Sequence, residues 1–358
     1  MGLYLENGYL NFEWIKRQNL PFNILIGGRG IGKTISCLSN LLQEGSKFIF
    51  ARRTEKQLQH LMDPDMDPTI DVNRILGTSF SLRNMPKIGL GIYDGERDPQ
   101  TGEIIPFDRP IAKCQAVSTC GNIRGSGGGV EFKYLVYDEF IKLYHEKPFK
   151  GEDSAFKDLY ETICRNRELP PPMGPGLPPL QAFLLSNSNS IDNPIIASFG
   201  LINQLAKMSQ RVELTNEAQI YINRDRGLLV ILFPEGEIGK AKRTTALYRA
   251  LGNSTYTDMA LGNKFSEDVN SEDIRSRPIT EYRPLIAVGE ITIYQHKNGG
   301  HYYVNSRRTQ APVMFGTGSA ELEKFARRYG RLYSAYLSDR VFFEDFGSKT
   351  AFIHYFSY

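Results

Sequence analysis

The chain has 358 residues, of which 41% are hydrophobic and 23% are charged, and its formal net charge is +3. This length favours two or three domains, and the composition is that of an ordinary globular protein. No apolar run approaches the roughly 20 residues of a membrane-spanning helix.

The N-terminal residues 1–6 lack the charged and apolar regions of a signal peptide. The four cysteines are scattered and form no C-x-x-C pair, so neither a zinc site nor a disulfide framework is indicated. We therefore expect a reducing, cytosolic setting without membrane association. A net charge of +3 permits a nucleic-acid partner without requiring one.

The first 22 residues are rich in aromatic side chains that precede the first strand. These residues either stack on a nucleotide base and read its edge, or cover the edge of a sheet. The candidates are Tyr4, Tyr9, Phe12, Trp14 and the amide Gln18.

Residues 27–34 fit G-x-x-x-x-G-K-[ST], the pattern of a phosphate-binding loop. An apolar strand-like run over 23–26 precedes the loop, and apolar residues at helix spacing follow it. In such a loop, backbone N–H groups and a helix N-terminus hold phosphate oxygens. The pattern predicts that Lys33 reaches the β- and γ-phosphates of ATP and that Thr34 binds Mg²⁺; the alternative is a chance glycine-rich turn. The loop is Gly27-Gly28-Arg29-Gly30-Ile31-Gly32-Lys33-Thr34.

A second buried strand is predicted over 47–53, and it ends in Arg52 and Arg53. Ligands of open parallel sheets lie beyond the carboxyl ends of the strands, so one arginine is expected near the phosphates or at a subunit edge. The alternative is the solvated start of a helix. Residues 63–110 are typical of an insertion that contains a hairpin. Within the glycine-rich loop 122–129, Arg124 either reaches a phosphate or belongs to a surface turn.

An apolar strand over 134–137 ends in two adjacent carboxylates, Asp138 and Glu139. Hydrolysis of a nucleoside triphosphate needs an acid that holds Mg²⁺ and a group that orients the attacking water. Asp138 suits the first role and Glu139 the second. A plain strand-to-loop transition is the alternative, and the upstream phosphate loop favours the catalytic interpretation.

The predicted helix 151–168 ends near Arg165 and Arg167, which either favour the negative pole of the helix or supply an arginine finger to a neighbouring subunit. The sequence leaves open which arginine would be the finger. Further strands are predicted over 182–189, 210–214 and 227–233, and a basic helical connector over 238–270.

Residues 277–358 carry 11 Lys and Arg against 7 Asp and Glu, a net charge of +4. The pattern predicts a hairpin over 286–304 with a turn at 297–300, followed by a helix with four cations among aromatic residues. This combination suits a nucleic-acid backbone and its bases; a packed domain with a solvated basic face is the alternative.

Five segments, taken in order, resemble the DNA-packaging ATPases of phi-29-type podoviruses, which are relatives of the large terminases and of the additional-strand, catalytic-glutamate ATPases. The resemblance is dense over roughly residues 20–200 and weaker over the last third of the chain. The segments are residues 27–34, 50–53, 136–140, 165–168 and 185–187.

The resemblance implies a homopentameric ring motor that drives double-stranded DNA through the portal of an empty capsid. It also implies residence in the host cytoplasm, transiently on the procapsid and not in the mature virion. Some relatives require a packaging RNA. The family's cofactors are ATP and Mg²⁺.

The resemblance also implies roles for individual residues. Lys33 and Thr34 match the phosphate-loop ligands, Asp138 the magnesium acid and Glu139 the catalytic glutamate. The basic residues match as well: Arg165 the finger in trans, Arg124 a second trans-acting residue if one gap is allowed, and Arg52 an arginine that couples nucleotide state to the glutamate.

We therefore expect a three-part α/β chain. Residues 1–236 are predicted to form a P-loop ATPase domain with a RecA- or terminase-like parallel sheet, 237–275 a helical linker, and 276–358 a small β-rich domain that resembles a vestigial ribonuclease H-type nuclease. Across 285–305 only Glu290 is acidic, whereas two-metal nucleases need clustered carboxylates, so we expect no cleavage. The rival interpretations are a small-molecule P-loop kinase, a helicase-like translocase and a non-hydrolysing clamp.

Overall fold

The computed structural model describes residues 2–6, 8–123, 131–143, 146, 149, 151–252, 254–262, 264–265 and 271–357. The chain divides into two compact units. The first comprises residues 1–198 and 211–266, and the second comprises residues 199–210 and 267–358. The helical residues 237–260 therefore cluster with the first unit.

The first unit is built on a single nine-stranded sheet. Its strands are β1 (Phe22–Ile26), β2 (Phe48–Arg52), β3 (Ser81–Met85), β4 (Gly89–Arg97), β5 (Ile104–Ala116), β6 (Tyr134–Asp138), β7 (Gln181–Ser186), β8 (Gln219–Asn223) and β9 (Leu228–Leu232). Their spatial order is β3-β4-β5-β2-β6-β7-β1-β9-β8.

The six central strands, β5-β2-β6-β7-β1-β9, are parallel, and β3, β4 and β8 pair antiparallel at the two edges. Strands β2, β6, β7 and β9 are buried along their whole length, as expected for a parallel sheet covered on both faces. Strand β7 lies between β1 and β6, and all three end at the same edge of the sheet. The α/β prediction for this part of the chain is confirmed.

Helices alternate with the strands of this sheet along the chain. They are α1 (Phe12–Lys16), α2 (Lys33–Glu44), α3 (Glu55–His60), α4 (Thr69–Leu76), α5 (Glu152–Cys164), α6 (Pro194–Ser198), α7 (Ile202–Thr215), α8 (Glu237–Lys242), α9 (Ala246–Leu251) and α10 (Thr255–Ala260). A 3-10 segment spans Val117–Ile123. None of the helices in these described ranges combines the length and apolar character needed to cross a bilayer.

The strand predicted over 210–214 is wrong, because these residues belong to α7. The buried residues Leu205, Met208 and Val212 recur at helix spacing. The short segment 210–214 hid this period because it covers less than two helical turns.

The second unit contains a five-stranded mixed sheet, two helices and residues 202–210 of α7. It contains β10 (Tyr282–Val288), β11 (Ile291–His296), β12 (Tyr302–Asn305), β13 (Val313–Phe315), α11 (Ser319–Tyr336), β14 (Val341–Phe343) and α12 (Phe346–Tyr355). The order is β13-β10-β11-β12-β14, with the β10–β11–β12 meander antiparallel and the two outer strands parallel to their neighbours. The predicted hairpin turn at 297–300 is confirmed between β11 and β12. The single first strand predicted from residue 286 to 294 is wrong, because the chain turns at Gly289 (φ +52°) and forms two antiparallel strands, β10 and β11. The core of the second unit includes Ile293, Val304, Phe325 and Phe343.

Candidate nucleotide-binding site

The predicted phosphate-binding loop connects β1 to α2 at the carboxyl edge of the large sheet. The Gly27 N–H donates to the Ser186 carbonyl (3.1 Å), which ties the start of the loop to the end of β7. The loop opens into a cleft of about 330 Å³. The cleft is lined by Arg29, Gly30, Gly32, Lys33, Thr34, Ile35, Asp138, Glu139, Ser186 and Asn187.

Two glycines of the loop are required by its geometry. Gly32 has φ +86°, and a Cβ there would lie 2.5 Å from the Tyr9 ring. A Cβ on Gly28 would lie 2.7 Å from the Leu261 carbonyl oxygen. Gly32 is also the N-cap of α2 and supplies no side-chain cap for the N–H groups of the first turn, and the residues of that turn line the cleft. These donors and the positive pole of α2 are suited to bind phosphate.

Lys33 extends along the inside of the loop. Its Nζ donates to the carbonyls of Gly27 (2.7 Å) and Gly28 (3.0 Å) and to Asn187 Oδ1 (3.3 Å). Burial lowers the pKa of Lys33 to about 8, although the negative charges of Asp138 and Glu139 act in the opposite direction. A triphosphate in the cleft would supply the counter-charge that this ammonium lacks.

Thr34 and Asp138 meet across the cleft, which joins the loop to the end of β6. The Thr34 hydroxyl donates to Asp138 Oδ1 at 2.9 Å. Asp138 is 2% exposed, and its Oδ2 has no hydrogen bond of good geometry. A hydroxyl and a buried carboxylate are ligands that suit Mg²⁺, and they stand beside the place where phosphates would lie. The pair therefore fits the predicted metal role.

Arg52 bridges both carboxylates of the acidic pair. Its Nη2 lies 2.9 Å from Asp138 Oδ2 and its Nη1 lies 2.6 Å from Glu139 Oε2. The Glu139 side chain is 47% exposed, whereas that of Arg52 is 10% exposed. Glu139 also adopts φ +54°, a conformation that non-glycine residues rarely take and that clusters at functional sites. The glutamate thus faces the cleft while its carboxylate is held by Arg52.

The end of β7 completes the wall of the cleft. Ser186 accepts a hydrogen bond from the Ile141 N–H (3.2 Å), which anchors the chain just after Glu139. Asn187 contacts Lys33 directly. Ser186 and Asn187 therefore stand beside Lys33 and the chain that follows Glu139.

The two candidate finger arginines differ sharply in their surroundings. Arg165 is exposed, has φ +45° at the end of α5, and donates through Nε to its own Thr162 carbonyl (3.2 Å). Arg167 is 6% exposed and donates to the carbonyls of Pro178 (2.6 Å) and Phe132 (2.5 Å). Arg165 does not line the cleft of its own chain, and Arg124 lies outside the described residues.

One neighbour of the phosphate loop had no signal in the sequence. The Arg29 N–H donates to the Ala260 carbonyl (3.0 Å), and Gly28 packs against Leu261. The end of α10 therefore supports the outer side of the loop. Backbone carbonyls make this contact, so residue types could not have revealed it.

No family model matches the chain, and no curated protein matches it. Among solved structures, the chain is similar to the Phi-28 gp11 DNA packaging motor, with a TM-score of 0.63, 18% identity and 99% of each chain covered. This similarity shows a shared fold over the whole chain.

Two further structures are more distant and add nothing to the argument. One is the N-terminal domain of the DNA packaging ATPase from bacteriophage phi29 (TM-score 0.42, 19% identity, 64% of this chain and 97% of that chain). The other is the ATPase domain of a Thermus phage large terminase (TM-score 0.36, 11% identity, 71% of this chain and 92% of that chain).

Proposed function

We propose that this chain is an ATP-hydrolysing motor that moves viral double-stranded DNA through a portal into a preformed capsid. The observation that carries the proposal is the unbroken set of contacts from Thr34 through Asp138 and Arg52 to Glu139, beside Lys33 in one cleft. The similar fold of a DNA packaging motor supports the choice of DNA as cargo.

The cleft supports hydrolysis of magnesium–ATP as substrate. Lys33 and the N–H groups at the start of α2 hold the β- and γ-phosphates, while Thr34 and Asp138 hold Mg²⁺, which neutralises phosphate charge. Glu139 accepts a proton from the water that attacks the γ-phosphorus, and ADP leaves with the bridging oxygen. Arg52 and the attacking water compete for the Glu139 carboxylate. The Arg52–Glu139 ion pair therefore restrains this base until the nucleotide is bound.

A ring of subunits completes the site in this proposal. The exposed Arg165 is free of the cleft in its own chain and is offered to the nucleotide of the next subunit. We assign this role to Arg165 and not to Arg167, because the Arg167 side chain is buried and donates to the backbone carbonyls of Pro178 and Phe132. A homopentamer, with Arg124 as a second trans-acting residue, follows the family resemblance.

The second unit is proposed to contact DNA through α11. Four exposed cations lie along this helix: Lys324, Arg327, Arg328 and Arg331. The first three, at positions i, i+3 and i+4, share one face, and Arg331 follows a break in the helical backbone at Tyr329. We call this set the α11 stripe. Its charge complements a phosphate backbone.

The remaining parts of the proposal follow the same family pattern. Residues 237–275 act as a linker and 276–358 as a nucleic-acid-binding domain that does not cleave DNA. The described residues include no group of three His, Cys, Asp or Glu that could hold a metal ion. The motor works in the host cytoplasm on the portal of the procapsid, in some relatives with a packaging RNA, and is left out of the mature virion.

The test is the ATPase rate of the full chain, alone and with duplex DNA and portal-bearing empty capsids, together with nuclease protection of the packaged DNA. We expect stimulation by DNA with capsids, protected DNA, and loss of both on Lys33→Ala. Stimulation by DNA with strand separation would indicate a helicase instead. An ATPase rate that neither DNA nor capsids change, together with transfer of phosphate to a small molecule, would indicate a kinase.

A further inference from the structure

The residue after Arg52 makes a second set of ion pairs that the catalytic scheme does not use. The Arg53 side chain is 1% exposed and forks onto Glu152, with Nε 2.7 Å from Oε1 and Nη2 3.1 Å from Oε2. Its Nη1 lies 2.8 Å from Glu146 Oε2. The guanidinium therefore holds two carboxylates from the segment that follows the catalytic strand.

Both carboxylates are fixed from other directions as well. The Tyr137 hydroxyl donates to Glu152 Oε1 (3.2 Å), and Gln57 Nε2 donates to Glu146 Oε1 (3.1 Å). The Leu143 N–H donates to Glu146 Oε2 (3.1 Å). A buried ion pair adds little stability over a well-packed apolar pair, so such a network is weak evidence for a purely stabilising role. Its geometric effect is to fix the position of whatever carries the carboxylates.

Glu152 is the first residue of α5, and Arg165 is the residue at which that helix ends. The 13 residues of α5 span about 20 Å at about 1.5 Å per residue. Because a helix moves as a stiff rod over this length, a forked contact at its first turn fixes the place and tilt of its last turn. Arg53 thus holds one end of the helix whose other end presents Arg165.

The preceding residue, Arg52, contacts the nucleotide site instead. Arg52 binds Asp138 and Glu139 in the cleft, while Arg53 binds Glu146 and Glu152 away from it. Any change in the Arg52 ion pairs on nucleotide binding acts on the end of β2. Arg53, the next residue, connects that end of β2 to α5 through its ion pair with Glu152.

We propose that Arg53 is a positioning residue for Arg165, which ties the end of β2 to the helix that presents the finger to the next subunit. This inference rests on the proposed role of Arg165 in trans. It assigns to Arg53 and Glu152 the transfer of nucleotide state from one site of the ring to its neighbour.

The test is a double-mutant cycle on the full chain, assembled with portal-bearing capsids and duplex DNA. Arg53→Lys keeps the charge and removes the fork. A misplacement of about 1 Å can reduce a rate by about 10²-fold, so we expect kcat to fall at least tenfold. Binding of a non-hydrolysable ATP analogue stays within twofold. In an Arg165→Ala background, Arg53→Lys lowers kcat no further.

The matched control is Arg243→Lys, which removes the same kind of fork elsewhere in the first unit. Arg243 binds Glu235 through Nε (2.7 Å) and Nη2 (2.9 Å), and neither residue belongs to α5. We expect the effects of Arg243→Lys and Arg165→Ala on kcat to multiply in the double variant. Where Arg53→Lys melts below the assay temperature, Glu152→Gln carries the same cycle.

Independent, multiplying effects of Arg53→Lys and Arg165→Ala would overturn the inference, as would loss of analogue binding in Arg53→Lys. If Arg165→Ala alone leaves kcat unchanged, both the finger and this inference fail. Hydrolysis that still depends on Lys33 would then leave the rest of the proposed function standing. These outcomes distinguish failure of this inference from failure of the proposed function.

Discussion

ATP binding is expected to take up a proton at alkaline pH because of Lys33. Burial places the pKa of this residue at about 8 instead of 10.5, a difference of about 3 kcal/mol at about 1.36 kcal/mol per pKa unit. In the empty cleft the ammonium is lost as the pH rises through about 8. A bound triphosphate retains the charged form to higher pH. ATP affinity is therefore flat below about pH 7 and falls by up to tenfold per pH unit above about 8.

Stability of the empty protein changes in the opposite direction. The folded pKa of Lys33 lies below its unfolded value, so the free energy of unfolding rises as the pH passes from about 8 towards 10.5. A loss of affinity in this window therefore cannot be attributed to unfolding through Lys33. The two trends together are the signature of this one residue.

The assay is titration calorimetry with a non-hydrolysable ATP analogue, in two buffers of different ionisation enthalpy. Between pH 7.5 and 9.5 the linkage gives a fall in affinity of about 25-fold, with proton uptake approaching one per site. Lys33→Arg is the matched control, since its guanidinium stays charged and its affinity stays flat. A change of less than about threefold in the unmodified protein, or equal slopes in both proteins, would refute the reasoning.

Two further predictions separate structural from functional cations. Arg167→Ala lowers the free energy of unfolding by about 3 kcal/mol, because buried carbonyls lose charge-assisted hydrogen bonds, whereas exposed Arg165→Ala changes it by less than about 0.5 kcal/mol; equal losses in denaturant unfolding would contradict this contrast. Replacing Arg327, Arg328 and Arg331 by Gln lowers the slope of log affinity against log salt for duplex DNA by about 3, at about 0.9 per lost phosphate contact. An unchanged slope would place the DNA elsewhere.

The parts of the site that the sequence predicts are those encoded locally. The strand, the glycine-rich loop and the helix with Lys33 lie within about 20 consecutive residues, so pattern and spacing specify them together. Asp138 and Glu139 are likewise marked by the apolar run of β6 directly before them. Because parallel strands end at one edge, the meeting of these two segments followed from the fold class.

The sequence could not predict contacts between residues that are far apart in the chain. Arg53 reaches Glu146 and Glu152 across 93 and 99 positions, and neither glutamate has a pattern that marks it as a partner. The choice between Arg165 and Arg167 likewise depends on burial, which two arginines so close in sequence do not reveal. The incorrect strand prediction at 210–214 has the same cause. The tertiary packing of α7, which includes these residues, determined that they are helical.

The central claim is that Glu139 activates water for a nucleotide held by Lys33, Thr34 and Asp138. The most direct measurement compares ATP turnover and analogue binding for Glu139→Gln with those for Glu131→Gln, whose side chain is similarly exposed at 43%. The account predicts that Glu139→Gln binds the analogue within about threefold of the unmodified protein while turnover falls at least about 10²-fold, with Glu131→Gln unaffected. Turnover retained by Glu139→Gln, with intact binding, would contradict it.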